Sequence, residues 1–374
     1  MKRHINYYFL FISIILIVFG ILFLANLSAP SSLQTFGNTS YYLFHQFYAL
    51  IIGLFLGFLA FKIPLEFIKK IIPVIFLINL VLLVAVFLPF WGVKFWGAQR
   101  WINIGGNIFQ PSEFLKITSV LYLASWLSKK FKDNQKKGLF VRVKSSYNNF
   151  IKFFLPFSLL LVTVSVILFF QKDLSTLAIV TAALLSVYFI AGTPLWHTIL
   201  AVLVQIASAS VLIKIEPYRV QRLLVFLNPE SDPLGKGFQL RQSLLAIGSG
   251  GLFGKGWGMS MQKFGILPQS MADSVFAILG EETGIIGSSI LIALFLLFFW
   301  QGTKIARKSA DKFSKMVTTG IMTWLILQVF MNISSSLGIW PLSGIPLPFF
   351  SYGGSHLIAE MIGVGLLLNI SRNT

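Results

Sequence analysis

The chain has 374 residues, 56% of them hydrophobic and only 11% charged, more apolar surface than a soluble domain of this size can hide. A formal charge of +18, from 30 Lys and Arg against 12 Asp and Glu, would suggest nucleic acid in a soluble protein. Here basic cytoplasmic loops and anionic lipid head groups account for most of it, and no nucleic acid is implied.

Many segments exceed the ~18 apolar residues of a spanning helix. The expected fold is therefore an all-α integral membrane protein, a single polytopic domain over 1–374 in contact with the lipid bilayer. Ten spans are predicted, near 8–27, 44–63, 71–90, 111–127, 151–170, 175–192, 195–213, 274–300, 317–338 and 352–370. The first follows a basic "MKRH" and is too long for the apolar core of a signal peptide, so it reads as an uncleaved span. The Lys/Arg bias puts "MKRH", "FKIPLEFIKK", "SKKFKDNQKKGLFVRVK" and "KIARKSADKFSK" in the cytoplasm, with both termini inside. The opposite face receives a large extracytoplasmic loop, 214–273, between helices 7 and 8.

Along the chain, "WGAQRWINIGG" sets Arg100 between Trp96 and Trp101. An interfacial aromatic belt explains this, and so does a guanidinium aimed at a pyrophosphate. In "QPSEFLK", Pro111 and Glu113 suit a helix start. Lys116 lies inside the span, where a charge costs roughly 2.5–3.5 kcal/mol. It either snorkels or pairs with Glu113, three residues away, on the wall of a wet cavity.

The long loop carries Lys214, Arg219, Arg222, Lys236, Arg241, Lys255 and Lys263 against the positive-inside trend. They are either loop charges without a role or a site for a phosphate-bearing substrate. "GSGGLFGKGWG" fails the Walker spacing and G-x-G-x-x-G, so no nucleotide site is supported. Its glycines suit a tight re-entrant segment.

"MADSVFAILGEETG" crowds Asp273, Glu281 and Glu282 where a span begins. Asp273 could cap that helix. Alternatively it stands at the mouth of a polar cavity, with Glu281 and Glu282 about 12 Å deeper. "IPLPFFSYGGSH" is a plain loop or a bent segment that closes over a ligand, with Ser351, Tyr352 and Ser355 as hydrogen-bonding groups. The four histidines show no metal-ligand spacing, and with no cysteine the chain has neither disulfides nor thiolate ligands.

Five stretches in order, "GAQRWINIGGNIFQPSEFLK", "QKDLST", "PYRVQRLLVFLNPESDPLGKGFQLRQSLLAIGSGGLFGKGWG", "LPQSMADSVFAILGEETG" and "LPFFSYGGS", resemble the SEDS family of FtsW, RodA and SpoVE over most of the chain. "SMQK" looks more like the FtsW/SpoVE branch than RodA. The resemblance implies a peptidoglycan glycosyltransferase that polymerises lipid II, an undecaprenyl-pyrophosphate-linked disaccharide peptide, on the outer face of the bacterial cytoplasmic membrane. The implied partners are a class B penicillin-binding protein and components of the divisome or elongasome.

The family's essential aspartate falls on Asp273, its "QPSE…K" pair on Glu113 and Lys116, and its "GA-R-W" arginine on Arg100. Departures are Gln269 where the family often has Glu, Ala272 for Thr, and Lys172 and Ser175 in "QKDLST". Asp273 is then the expected general base. Arg100, Glu113, Lys116, Arg219, Arg222, Glu281 and Ser351 are the expected substrate-binding groups. A divalent cation (Mg or Mn) could share the charge of the leaving diphosphate, but no D-x-D supplies ligands. A lipid II flippase and a non-catalytic scaffold for the penicillin-binding protein are the alternatives.

Overall fold

The computed structural model describes residues 5–95, 97–135, 150–215 and 217–372. The "MKRH" start, Trp96 and residues 136–149 of the basic segment after the fourth span lie outside the described residues, as does the side chain of Lys214. The helices are α1 Tyr7–Phe36, α2 Tyr41–Lys62, α3 Leu65–Ala85, α4 Pro111–Gln135, α5 Leu155–Phe170, α6 Leu174–Ile190 and α7 Leu195–Ile215. They continue with α8 Pro217–Leu227, α9 Lys236–Gly250, α10 Val275–Lys308, α11 Lys312–Ser336 and α12 Gly354–Ser371.

Each predicted span falls on a helix. The helical segments Tyr7–Phe36, Tyr41–Lys62, Leu65–Ala85, Phe150–Phe170, Val275–Lys308, Lys312–Ser336 and Gly354–Ser371 are long and apolar enough to cross a membrane. Leu174–Ile190 and Leu195–Ser208 are shorter apolar helices. The remaining one is α4, whose first turns carry Glu113 and Lys116.

Polar contacts sort the helix ends into two faces. On one, Asn369 Nδ2 donates to the Ala60 and Ile63 carbonyls at 2.8 and 2.7 Å, and the Asn6 N–H donates to Ser371 Oγ at 3.3 Å. On the other, Gln46 Nε2 donates to the Ser351 carbonyl, the Gln110 N–H to Ser355 Oγ, and Ser175 Oγ to the Ser343 carbonyl. This second face is the one predicted to be extracytoplasmic. Where α2 crosses α12, glycines permit backbone contact: a Cβ on Gly57 would lie 2.6 Å from the Met361 carbonyl oxygen. Small residues serve this purpose in membranes, where burial of apolar surface no longer drives helices together.

Two features of this second face go beyond the predicted spans. A three-stranded antiparallel sheet, β1 Gly92–Phe95, β2 Ala98–Ile104 and β3 Asn107–Phe109, follows α3. Ile104 pairs with Asn107 around Gly105 and Gly106, both at positive φ; left-handed backbone at both positions is the requirement of a two-residue hairpin. The 214–273 loop is largely ordered into α8, α9 and short 3₁₀ turns at Pro229–Ser231 and Gln262–Phe264. Its helices were hidden by their shortness beside the spans.

Helix α10 is broken at Gly284 (φ 64°, ψ −163°). Residues 251–256 insert along the break. The Lys255 and Gly256 N–H groups donate to the Glu281 and Glu282 carbonyls at 2.9 and 3.1 Å, and the Ile285 N–H donates to the Gly251 carbonyl at 3.0 Å. Backbone groups freed by the break are thus satisfied by a re-entrant segment, the condition for non-helical backbone at membrane depth.

Candidate functional site

Asp273 ends the tight turn ahead of α10. The Ala272 and Ser274 N–H groups both donate to the Gln269 carbonyl, and Gln269 adopts a left-handed φ of 54°. The Asp273 carboxylate does not cap α10: Ser274 holds the cap position, and no side-chain cap bond is made there. Instead Asp273 Oδ1 accepts from Gln239 Nε2 of α9 at 3.2 Å, and its carbonyl accepts from Asn332 Nδ2 of α11 at 3.0 Å. The residue is 9% exposed. Burial pushes the carboxyl above the ordinary carboxylate range, while Lys236 and Arg222 pull it back towards ionisation. The burial and the two cations thus act in opposite directions on the same carboxyl.

A cavity of about 1090 Å³ lies between α5, α6, α7 and α8. Asp273 is not among its lining residues; the lining residue Ser343 precedes Gly344, where an added Cβ would stand 3.9 Å from Asp273 Oδ2. The cavity's walls are mainly apolar: Val162, Val166 and Phe170 on α5, and Val202 and Ile206 on α7. Several of these side chains are also exposed at the surface of the bundle, as an opening to lipid requires. Arg100, Lys172, Arg219 and Arg222 supply its charge. Arg222 joins the two features, since it lines the cavity and also acts electrostatically on Asp273. Arg219 is buried with its guanidinium 5.2 Å from the Phe169 ring centre.

Arg100 lines the same cavity but is held by protein. It donates to the carbonyls of Gln171 and Lys172, and lies 3.6 Å from Asp173. Asp173 in turn caps α6 by accepting from the Thr176 N–H. Arg100 therefore shapes the turn at the cavity's edge while its charge remains at the lining.

The expected wet cavity around Glu113 and Lys116 is replaced by protein. Lys116 Nζ lies 2.6 Å from Glu113 Oε2, both side chains are buried, and the ammonium sits 5.4 Å from the Trp324 ring centre. Neither residue lines the 1090 Å³ cavity. Their electrostatic neighbours are His356 and Glu360 of α12, which gives the pair a place in the bundle rather than on substrate.

Glu281, expected on substrate, and its neighbour Glu282 are likewise held by protein groups. Glu281 takes Lys255 Nζ at 2.6 Å on one oxygen and the Ser260 hydroxyl on the other. Glu282 takes Lys263 Nζ at 3.1 Å and Asn26 Nδ2 at 2.6 Å. The crowded carboxylates fasten the loop at 255–263 to α10 and α1, and both Glu281 oxygens are engaged by protein groups. Ser351, expected on substrate, is fully buried and structural: its hydroxyl donates to the Ala272 carbonyl and accepts from the Leu347 N–H at 2.8 Å. It ties the loop before α12 to the turn that presents Asp273.

Residues that sequence reasoning passed over are Gln239, Asn332, His356 and Glu360. Asn332 and Glu360 carried a usable signal, being polar side chains inside apolar spans. Among the described residues, no group of three or more His, Asp or Glu side chains could hold a metal ion. The cavity offers an anion three arginines, Arg100, Arg219 and Arg222, and one lysine, Lys172.

The comparisons with known proteins agree with this architecture. The model of the FtsW/RodA/SpoVE family, described as cell cycle proteins, matches residues 7–374. The probable peptidoglycan glycosyltransferase FtsW of Buchnera aphidicola is 37% identical over 358 residues, covering 95% of this chain and 86% of that protein. Stage V sporulation protein E of Bacillus subtilis is 34% identical over 361 residues, 96% of this chain and 95% of its own length. Among solved structures, one reported for the structural coordination of polymerization and crosslinking by a peptidoglycan synthase complex superposes with a TM-score of 0.76 at 26% identity, covering 98% of both chains. The rod shape determining protein RodA of Thermus thermophilus gives 0.68 at 25%, covering 98% of this chain and 97% of that one. With sequence and overall fold in agreement along nearly the whole chain, the protein is a member of the FtsW/RodA/SpoVE (SEDS) family.

Proposed function

We propose that this chain is a peptidoglycan glycosyltransferase that polymerises lipid II at the outer face of the bacterial cytoplasmic membrane, as one membrane domain with both termini inside. The reading is supported by a buried carboxylate, Asp273, held by Gln239 and Asn332, and by an apolar cavity with a cationic lining whose wall at Ser343 adjoins Gly344, near Asp273. An apolar wall suits a polyprenyl tail, and the arginines and lysine suit the diphosphate at its head. Asp273 takes the proton of the acceptor sugar's 4-hydroxyl. That oxygen forms a bond to the donor's anomeric carbon as the bond to diphosphate breaks, and the configuration inverts. Diphosphate leaves carrying its own charge, which Arg219 and Arg222 stabilise.

The names of the relatives support a glycosyltransferase and favour the division and sporulation branch over elongation. The structural neighbour reported as part of a synthase complex supports a class B penicillin-binding protein as partner. The test is polymerisation of purified lipid II by the protein in detergent, with and without that partner. Asp273→Asn should abolish chain growth while the protein stays folded. Chains growing at the normal rate would refute the base assignment. Unpolymerised lipid II moved between the leaflets of a vesicle would point instead to a flippase.

A further inference from the structure

Beside Asp273 stands a polar relay that the mechanism above does not use. Lys236, in the first turn of α9, donates from Nζ to Gln239 Oε1 at 3.2 Å. The other end of that amide, Nε2, donates to Asp273 Oδ1 and to Ser274 Oγ, each at 3.2 Å. An amide has one acceptor end and one donor end. An ammonium on its oxygen therefore leaves the N–H₂ facing the carboxylate, in the sense that favours an ionised Asp273. The relay is half-buried at Lys236 and buried at Gln239 and Asp273, so solvent screens it little.

We propose that Lys236, acting through Gln239 and by its own charge, is a positioning residue that holds Asp273 ionised and aimed, and so sets the pH below which the base stops working. This rests on the reading of Asp273 as the general base. The charged groups that face the relay are Arg222 from α8 and Asp232 from the turn before α9. Arg222 acts in the same direction as Lys236 on Asp273. Asp232 accepts the Lys236 backbone N–H at 2.9 Å and favours the charged ammonium. Burial disfavours both the charged lysine and the charged aspartate, and each offsets the other's cost.

The experiment is the pH dependence of kcat and KM for lipid II polymerisation by the full chain in detergent. Wild type, Lys236→Met, Lys236→Arg and Asp273→Asn are compared at equal monodisperse protein. Lys236→Met should move the acid limb of kcat upward by about one pH unit or more. Below the limb that is a loss of about tenfold, with a much smaller loss on the alkaline plateau. Lys236→Arg should return the limb towards its wild-type place. An unmoved limb with a raised KM would make Lys236 a substrate contact and overturn the proposal. A uniform loss at every pH would make it merely structural and overturn it too. Should Lys236→Met fail to purify, Lys236→Gln carries the same expectation. Activity in Asp273→Asn would sink the base assignment; an inactive Asp273→Asn with an unmoved limb in Lys236→Met would sink the relay alone.

Discussion

Removing one member of the Glu282–Lys263 pair should loosen the re-entrant segment without unfolding the bundle. Both side chains are nearly inaccessible, at 0% and 4%, and their charged atoms are 3.1 Å apart. Glu282→Leu leaves the Lys263 ammonium buried with only the Asn26 side-chain oxygen at 2.7 Å and the Gly258 carbonyl at 2.6 Å. Breaking a buried pair on one side costs about 3–5 kcal/mol. Because Lys263 lies in the 3₁₀ turn Gln262–Phe264 that follows the inserted segment and Glu282 lies on α10, that cost falls on the docking of this loop. It corresponds to roughly two to four orders of magnitude in the local opening equilibrium. Hydrogen exchange of peptides covering 251–266, read by mass spectrometry in nanodiscs, measures it directly. Exchange there should accelerate strongly while peptides from α2 and α12 keep their protection. In the double variant Glu282→Leu/Lys263→Met, which leaves no orphan charge, most of the protection should return. Unchanged exchange in the single variant, or a double variant worse than it, would refute the clamp.

Two further perturbations probe other levels of the structure. Gly57→Leu forces a side chain into a site where even a Cβ would stand 2.6 Å from the Met361 carbonyl; it should abolish the monodisperse folded species in size-exclusion chromatography, whereas the same change at Gly248, with open space around it, should not. Ser351→Ala removes the hydroxyl that joins the Ala272 carbonyl to the Leu347 N–H. It should cost about 1–3 kcal/mol in thermal or denaturant unfolding, and reduce the polymerisation rate more than it alters KM, because the turn bearing Asp273 loses its tether.

The helical frame was legible because lipid imposes it: every span needs a long apolar run, and such runs stand out in a chain with so few charges. The sheet at 92–109 was not, since its strands are three to seven residues long and sit between two strong helical signals. The position of Asp273 just ahead of a span was legible, and the residue lies in the turn before α10. The partners of Glu281 and Glu282 were not legible, for a physical reason. Local spacing predicted the depth of the two carboxylates, and depth demands partners, but those partners, Lys255, Ser260 and Lys263, arrive from a loop whose start doubles back into the break at Gly284. The glycine-rich run at 248–258 did announce such a segment; what no local pattern announced was where it docks. Lys116 and Glu113 followed the same course, their pairing visible from the i,i+3 spacing and their neighbours on α12 visible only in three dimensions.

The glycine seam between α2 and α12 also has a consequence for biogenesis. Gln46 and the Ser351 carbonyl it reaches are 305 residues apart. At a synthesis rate of about 5–20 residues per second, the second helix waits on the order of 15–60 s in the translocation machinery or the surrounding membrane before its mate is made. During that interval its small-residue groove is a standing invitation to wrong neighbours. The wall-building centre stays incomplete meanwhile, because the tether to the Asp273 turn arrives with that late helix.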